Sequence, residues 1–139
     1  MSVINIKTSI SATVLVIDDD ESVRDAVREG LGEAPILKLK VLEAQDTKTG
    51  LKMTKEHRPD VIILDLGFSN DTKKFGGFFF LETIRADPEL KDAKVIVLTA
   101  NDTFENIWIG ENLDVSAYNF VSKPFNIDEL IGQVYGLIR

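Results

Sequence analysis

Three short, uninterrupted apolar runs constrain the fold of this chain more than any other feature of its sequence. They are TVLVI (13–17), VIIL (61–64) and VIVL (95–98). Runs rich in Val and Ile are typical of strands covered on both faces, as in a parallel sheet. Two further segments, LKLKV (37–41) and AYNFV (117–121), alternate apolar and polar residues. Because alternation leaves one face wet, we expect these two strands at the edges of the sheet.

Helical patterns separate the strands. Residues 21–31 and 77–86 repeat apolar residues at helical spacing, and a longer apolar stripe begins at Ile127. Asn126 precedes that stripe as an expected N-cap, with Glu129 as its capping-box partner. The order strand–helix, repeated five times, predicts an α/β fold with parallel strands joined by right-handed crossovers.

Composition narrows the class of protein. The 139 residues suffice for one domain, which we expect at 13–139 after an N-terminal tail at 1–12, with no output domain after the last helix. The chain has no cysteine, no signal peptide and no apolar run near the roughly 18 residues that cross a bilayer. We therefore expect a cytoplasmic protein without membrane contact. A net charge of −7 and scattered Lys and Arg argue against direct nucleic-acid binding.

Polar residues follow four of the predicted strands. They are Asp18, Asp19 and Asp20 after the first, Asp65 after the third, Thr99 after the fourth, and Lys123 with Pro124 after the fifth. Each has an ordinary explanation by itself, as a helix cap, a turn residue or a solvated lysine. In an open parallel sheet, however, the carboxyl ends of neighbouring strands meet at one edge, where ligands bind. The conjunction predicts a site in which carboxylates, a hydroxyl and an ammonium converge.

The carboxylates of this site require a cation. Two carboxylates roughly 5 Å apart repel by about 3 kcal/mol at an effective dielectric constant near 20. Three of them would cost much of the roughly 5–15 kcal/mol that stabilises a small domain. An all-oxygen site that keeps several waters suits Mg²⁺. The acids after the first and third strands are therefore interpreted as metal ligands.

In these residues the chain resembles the receiver domain of two-component response regulators, over roughly 13–139. The matching stretches are VLVIDDDES (14–22), EAQD (43–46), PDVIILD (59–65), GGFFFLETIR (76–85), VIVLTA (95–100) and VSKPF (121–125). The resemblance implies a flavodoxin-like, doubly wound parallel sheet of five strands in the order 2-1-3-4-5. The second and fifth strands are the edges in that order, in agreement with their alternation.

The resemblance also implies the metal ligands. Asp19 and Asp65 would bind Mg²⁺ through their side chains and Gly67 through its backbone carbonyl, while Asp18 would act mainly through a metal-bound water. Asp20 matches no ligand of the family and is assigned to the start of the first helix.

The phosphoryl chemistry is likewise an implication of the resemblance. Asp65 would be the phosphoacceptor, Lys123 would pair with the phosphoryl oxygens, and Thr99 would donate a hydrogen bond to them. The donor would be a histidine kinase or a phosphotransfer protein. The domain is not a conventional enzyme, but it would catalyse its own phosphorylation and dephosphorylation.

Signalling would follow from a movement of Thr99 towards the phosphoryl group, with Phe120 turning inward behind it. The output face implied by the family consists of the fourth helix, here 103–113, the fifth strand and the fifth helix. It would bind a downstream protein target or output domain, and it would also allow a homodimer. Since Phe120 stands where Tyr is commoner in the family, we expect a switch driven by packing.

The sequence departs from the family pattern after Asp65. The segment 66–76 is longer than usual, lacks a Met-Pro pair and ends in Gly76 where an Asp is common. This puts the shielding of the site, the docking kinase and the phosphate lifetime in doubt.

Two alternatives remain open. A degenerate receiver would only bind partners, and the long loop is its main support. A phosphatase of the haloacid dehalogenase type would need an acid two residues after the nucleophile, where Gly67 stands. His57 is interpreted as a surface residue.

Overall fold

The fold is built on one parallel sheet of five strands. The computed structural model describes residues 10–33, 37–65, 77–99, 119–122 and 125–138. The strands are β1 (Ile10–Ile17), β2 (Leu37–Ala44), β3 (Val61–Asp65), β4 (Lys94–Thr99) and β5 (Asn119–Ser122). All neighbouring pairs are parallel and the order is β2-β1-β3-β4-β5. This confirms the predicted doubly wound α/β class, the strand order and the two edge strands.

Four helices are described: α1 (Glu21–Gly32), α2 (Thr47–His57), α3 (Gly77–Ala86) and α4 (Ile127–Ile138). The predicted helix at 103–113 lies outside the described residues, so α4 is the C-terminal helix. The predicted cap of α4 is confirmed, because Asn126 Oδ1 accepts the backbone N–H of Asp128 at 2.8 Å and of Glu129 at 3.2 Å. Arg58 is the C-cap of α2, and its backbone is left-handed at φ 47°.

Two apolar cores cover the two faces of the sheet. One lies between the sheet and α2 with α3, and its largest buried members include Leu15, Ile17, Ile62, Leu64, Phe80, Leu81 and Ile84. The other lies between the sheet and α1 with α4, and includes Val14, Val16, Val27, Leu31, Ile63, Ile96, Leu98, Leu130 and Val134. The inner strands are thus covered on both faces, which explains their continuous apolar sequences.

The edge strand β2 has one exposed face, unlike the inner strands. In addition, one end of β1 and one end of β2 differ from the predicted bounds. On β2, Lys38 and Lys40 are exposed while Leu39 and Val41 are half-buried, as the alternation predicts. Strand β1 begins at Ile10, three residues before the predicted strand at 13–17, and so reaches into the predicted tail. Strand β2 continues past Val41 to Ala44. In the part of the chain that the structure describes, no helix is long and apolar enough to cross a membrane.

Candidate metal and phosphoacceptor site

The site lies where β1 and β3 end side by side. Ile17, the last residue of β1, pairs with Leu64 of β3, and the next residues along the two strands are Asp18 and Asp65. Asp65 is itself the last residue of β3 and pairs with Leu98 of β4. The parallel register therefore carries two carboxylates that are distant in sequence to the same edge of the sheet.

Asp18, Asp19 and Asp65 form a carboxylate cluster. Each offers an oxygen atom, and these oxygens all lie within 4.8 Å of one another. Asp18 is fully buried and Asp65 is 2% exposed, whereas Asp19 is exposed. The cluster thus combines two carboxylates that are withdrawn from water with a third that reaches it.

Hydrogen bonds hold both the backbone and the side chain of Asp18. Its N–H donates to the carbonyl of Ala44 at 3.1 Å, which extends the β1–β2 ladder by one residue. Its Oδ1 accepts the N–H of Asp20 at 2.9 Å. Its carbonyl oxygen accepts a hydrogen bond from Arg24 Nη1 at 2.7 Å. Asp18 is therefore fixed at the site by β2 on one side and by the start of α1 on the other.

The donor set fits a hard divalent cation. Three carboxylate oxygens within 4.8 Å are ligands of the kind and spacing that Mg²⁺ or Ca²⁺ takes in proteins. Buried carboxylates are costly without a charge partner or hydrogen bonds, and at these separations the repulsion is several kcal/mol. The arrangement is therefore chemically suited to Mg²⁺, which tolerates few protein ligands and keeps several waters.

The other predicted site residues are described only in part or not at all. Thr99 is the last residue of β4 and pairs with Ser122, the last residue of β5. Phe120 is half-buried on β5 and packs against the core on the α2–α3 face. Gly67 and Lys123 lie outside the described residues, as do the loop at 66–76 and the segment at 103–113.

The structure also describes Asp20 and His57, which the sequence analysis placed outside the site. Asp20 is the N-cap of α1, because its Oδ1 accepts the N–H of Ser22 at 2.9 Å. This confirms its assignment to the helix start. His57 is the last residue of α2 and is exposed, as predicted.

The sequence analysis missed two residues next to the cluster, Arg24 and Glu43. Arg24 Nε donates to Glu43 Oε1 at 3.2 Å, and the same guanidinium holds the carbonyl of Asp18. Arg28 Nη1 also binds Glu43, at 2.7 Å, and this hydrogen bond is the main reason that the pKa of Arg28 is raised above its usual value. The available signal was an acid two residues after the predicted second strand, together with two arginines on the predicted first helix.

Among the described residues, a cavity also lies far from the carboxylate cluster. A cavity of about 330 Å³ lies at the opposite, amino-terminal edge of the sheet and is lined among others by Arg58, Asp60, Glu89 and Lys94. Arg58 and Glu89 already form an ion pair there at 3.0 Å. None of the clustered carboxylates lines this cavity. The candidate site is therefore assigned from the chemistry of the residues at the carboxyl edge of the sheet.

Comparisons with known proteins agree with the fold. The family model described as "Response regulator receiver domain" matches residues 14–135. The response regulator MprA of Mycolicibacterium vanbaalenii is 30% identical over 126 residues, which are 91% of this chain and 50% of that protein. RpaA of Synechocystis, a DNA-binding dual master transcriptional regulator, is 31% identical over 91% of this chain and 48% of its own length. The chain spans about half the length of the curated relatives it matches.

Solved structures give the same result. The chemotaxis response regulator CheY4 of Vibrio cholerae superimposes with a TM-score of 0.74 at 28% identity, covering 91% of this chain and 98% of that one. A Francisella response regulator receiver domain gives a TM-score of 0.71 at 29% identity, covering 91% and 96%.

Proposed function

Since the chain belongs to the response regulator receiver family of two-component signalling, we propose that it accepts a phosphoryl group on Asp65 and uses it to switch a protein-binding surface. The observation that supports this most is the cluster of Asp18, Asp19 and Asp65, whose oxygens lie within 4.8 Å at the ends of β1 and β3. A receiver that had lost phosphoacceptance would have no physical need to keep two of these carboxylates buried beside each other.

The reaction needs a nucleophile in line with the bond that breaks. A carboxylate oxygen of Asp65 attacks the phosphorus of a phosphohistidine, an O–P bond forms, and the P–N bond breaks with its electron pair left on the imidazole nitrogen. The signal ends when water attacks the phosphorus of the acyl phosphate. This hydrolysis releases inorganic phosphate and restores the Asp65 carboxylate.

Mg²⁺ is the proposed cofactor. Asp19 and Asp65 would hold it directly, with the carbonyl of Gly67, and Asp18 would hold it through a bound water. When bound, the ion supplies positive charge that neutralises the carboxylates and the transferred phosphoryl oxygens. Lys123 is proposed as the second positive group, and Thr99 as a hydrogen-bond donor to the phosphoryl group.

The proposed partners are a histidine kinase or phosphotransfer protein as donor and a downstream protein or output domain as receiver of the signal. Thr99 and Phe120 would link the site to the surface formed by 103–113, β5 and α4, which would also allow a homodimer. The packing of Phe120 against the core supports a switch that depends on side-chain volume, because packed interiors have discrete arrangements.

The test is phosphorylation by a small donor. The native chain is incubated with Mg²⁺ and acetyl phosphate, and we expect one phosphoryl group per chain, stable in acid and labile in base. Asp65→Asn should abolish labelling because an amide is not a nucleophile for this transfer. Asp92→Asn is the matched control, since Asp92 is an exposed acid outside the cluster and its loss should leave labelling intact.

Two results would contradict the proposal. A folded native chain that takes up no phosphoryl group would be a degenerate receiver that only binds partners. Continuous turnover of many phosphate esters would indicate a phosphatase. In the labelled chain, amide hydrogen exchange should change in β5 and α4; unchanged exchange there would contradict the proposed switch while leaving phosphoacceptance in place.

A further inference from the structure

The guanidinium of Arg24 links the end of an edge strand to the backbone of the acid cluster. Nε donates to Glu43 Oε1 at 3.2 Å, and Nη1 donates to the carbonyl oxygen of Asp18 at 2.7 Å. The side chain is only 12% exposed. Glu43 lies on β2, opposite Val16 of β1, so the side chain of Arg24 joins α1, β2 and the end of β1 in one set of hydrogen bonds.

The direction of the Asp18 carbonyl affects the geometry of the carboxylate cluster. It belongs to the peptide group that joins Asp18 to Asp19, so its direction sets the orientation of both residues. The N–H of Asp18 is already fixed by the carbonyl of Ala44, the residue after Glu43. The end of β2 therefore holds Asp18 from both sides, directly through Ala44 and indirectly through Glu43 and Arg24.

We propose that Arg24, anchored by Glu43, is a positioning residue that fixes the Asp18–Asp19 peptide so that the cluster keeps the spacing required by a divalent cation. This role rests on the proposed function, because it assumes that the cluster binds Mg²⁺. Substitution of residues that orient metal ligands typically lowers metal affinity by about 10–100-fold.

Arginine suits this role better than lysine. Two acceptors on different elements must be bound at once, and the planar guanidinium presents several N–H groups in a fixed fork. Lysine carries the same charge at a single nitrogen. The carboxylate of Glu43 contributes a charge-assisted hydrogen bond, which is stronger than a neutral one and limits the rotation of the fork.

Arg28 provides a matched comparison on the same helix. It binds the same carboxylate, with Nη1 at 2.7 Å from Glu43 Oε2, and its Nη2 lies 2.9 Å from Asp25 Oδ1. Its side chain is 44% exposed. Arg24 and Arg28 therefore carry the same charge and bind the same carboxylate, but it is Arg24 that donates to the carbonyl of Asp18.

The positioning role and a purely electrostatic role predict opposite effects on metal affinity. A positive charge near a cation site repels the cation, so its removal by itself would tighten Mg²⁺ binding. Loss of a positioning contact would weaken binding, because the carboxylates would have to be ordered when the ion binds.

The test is a calorimetric titration of Mg²⁺ into the native chain, Arg24→Met, Arg24→Lys and Arg28→Met. We expect both Arg24 variants to bind Mg²⁺ about tenfold more weakly or worse, and Arg28→Met to bind near the native value. Circular dichroism establishes that each variant is folded. If Arg24→Met fails to fold, Arg24→Lys and Glu43→Gln carry the test, since both keep the size of the side chain and remove one part of the link.

The outcomes separate the two proposals. Native or tighter Mg²⁺ binding in a folded Arg24→Met or Arg24→Lys variant would overturn the positioning role and leave the proposed function standing. Equal weakening in Arg28→Met would also overturn it, because the effect would then come from Glu43, which both arginines bind, and not from the bond to Asp18. A native chain that binds no Mg²⁺ would overturn the proposed function, and the positioning role with it.

Discussion

Four consecutive acids, Asp18 to Glu21, serve two different purposes in this molecule. Asp18 and Asp19 belong to the carboxylate cluster, whereas Asp20 caps α1 and Glu21 lies in its first turn. Asp20 accepts hydrogen bonds from the N–H and the hydroxyl of Ser22, at 2.9 and 2.6 Å. A negative charge at this point also interacts favourably with the positive end of the helix. The run of acids is thus divided between the carboxylate cluster and the helix start.

This division predicts different effects for neighbouring substitutions. Asp20→Ala removes the cap of α1 and should lower the free energy of unfolding by about 1 kcal/mol. Denaturant titration measures this loss, and labelling at Asp65 should persist. Asp20→Ser is the control, since serine also caps helices and should retain most of the stability. Complete loss of labelling in a folded Asp20→Ala chain would mean that Asp20 belongs to the site.

The carboxylates could be predicted from the sequence, but the contacts that hold them could not. The order of strands places Asp18 and Asp65 at one edge, so their positions after apolar runs were sufficient to bring them together. The bond between Arg24 and Asp18 goes to a backbone carbonyl, which carries no signal in the sequence. The pair of Arg24 and Glu43 depends on the register that sets Val16 opposite Glu43. Register is set by the assembled sheet and turns.

For the strands, too, the sequence pattern predicts that each element exists, whereas its ends depend on pairing in the assembled sheet. The continuous apolar runs identified β1, β3 and β4, because burial on both faces imposes that composition. Their ends followed from pairing instead. Strand β1 begins at Ile10 because it pairs with β2 from Leu37 onward, although Ser11 and Ala12 have little strand character of their own. Pairing through Ala44 likewise extends β2 beyond its alternating part.

Helix α2 approaches the sheet closely through Gly50. A Cβ atom at this position would lie 2.5 Å from Cδ1 and 2.9 Å from Cγ1 of Ile17. Ile17 is fully buried and directly precedes Asp18, so it has little room to move. On α4, by contrast, a Cβ atom added at Gly132 would meet nothing within 4 Å.

The two glycines should therefore respond in opposite ways to alanine. Gly50→Ala should lower the free energy of unfolding by about 1–3 kcal/mol, because the overpacking at Ile17 outweighs the gain in helix propensity. Gly132→Ala should raise it by about 0.5–1 kcal/mol, since only the propensity changes. Denaturant titration of both variants against the native chain measures the difference. Equal stabilisation by both substitutions would show that α2 does not pack on Ile17 in solution.

The fold brings acids that are distant in the sequence together at one edge of the sheet. The net charge of −7 spreads over the chain, but the fold withdraws Asp18 and Asp65 from water and sets them beside Asp19. Such a concentration of negative charge is unfavourable for an isolated domain and favourable for one that binds a divalent cation. The proposed phosphoacceptance, the proposed switch and the proposed role of Arg24 all depend on such a cation.

We propose that the carboxyl edge of the sheet binds one divalent ion. Calorimetric titration of Mg²⁺ into the native chain and into Asp19→Asn tests it most directly, because Asp19 is exposed and its substitution should leave the fold intact. We predict saturable uptake of a single ion by the native chain and its loss, or weakening by about tenfold or more, in the variant. No uptake by the native chain, or equal uptake by both, would contradict the account.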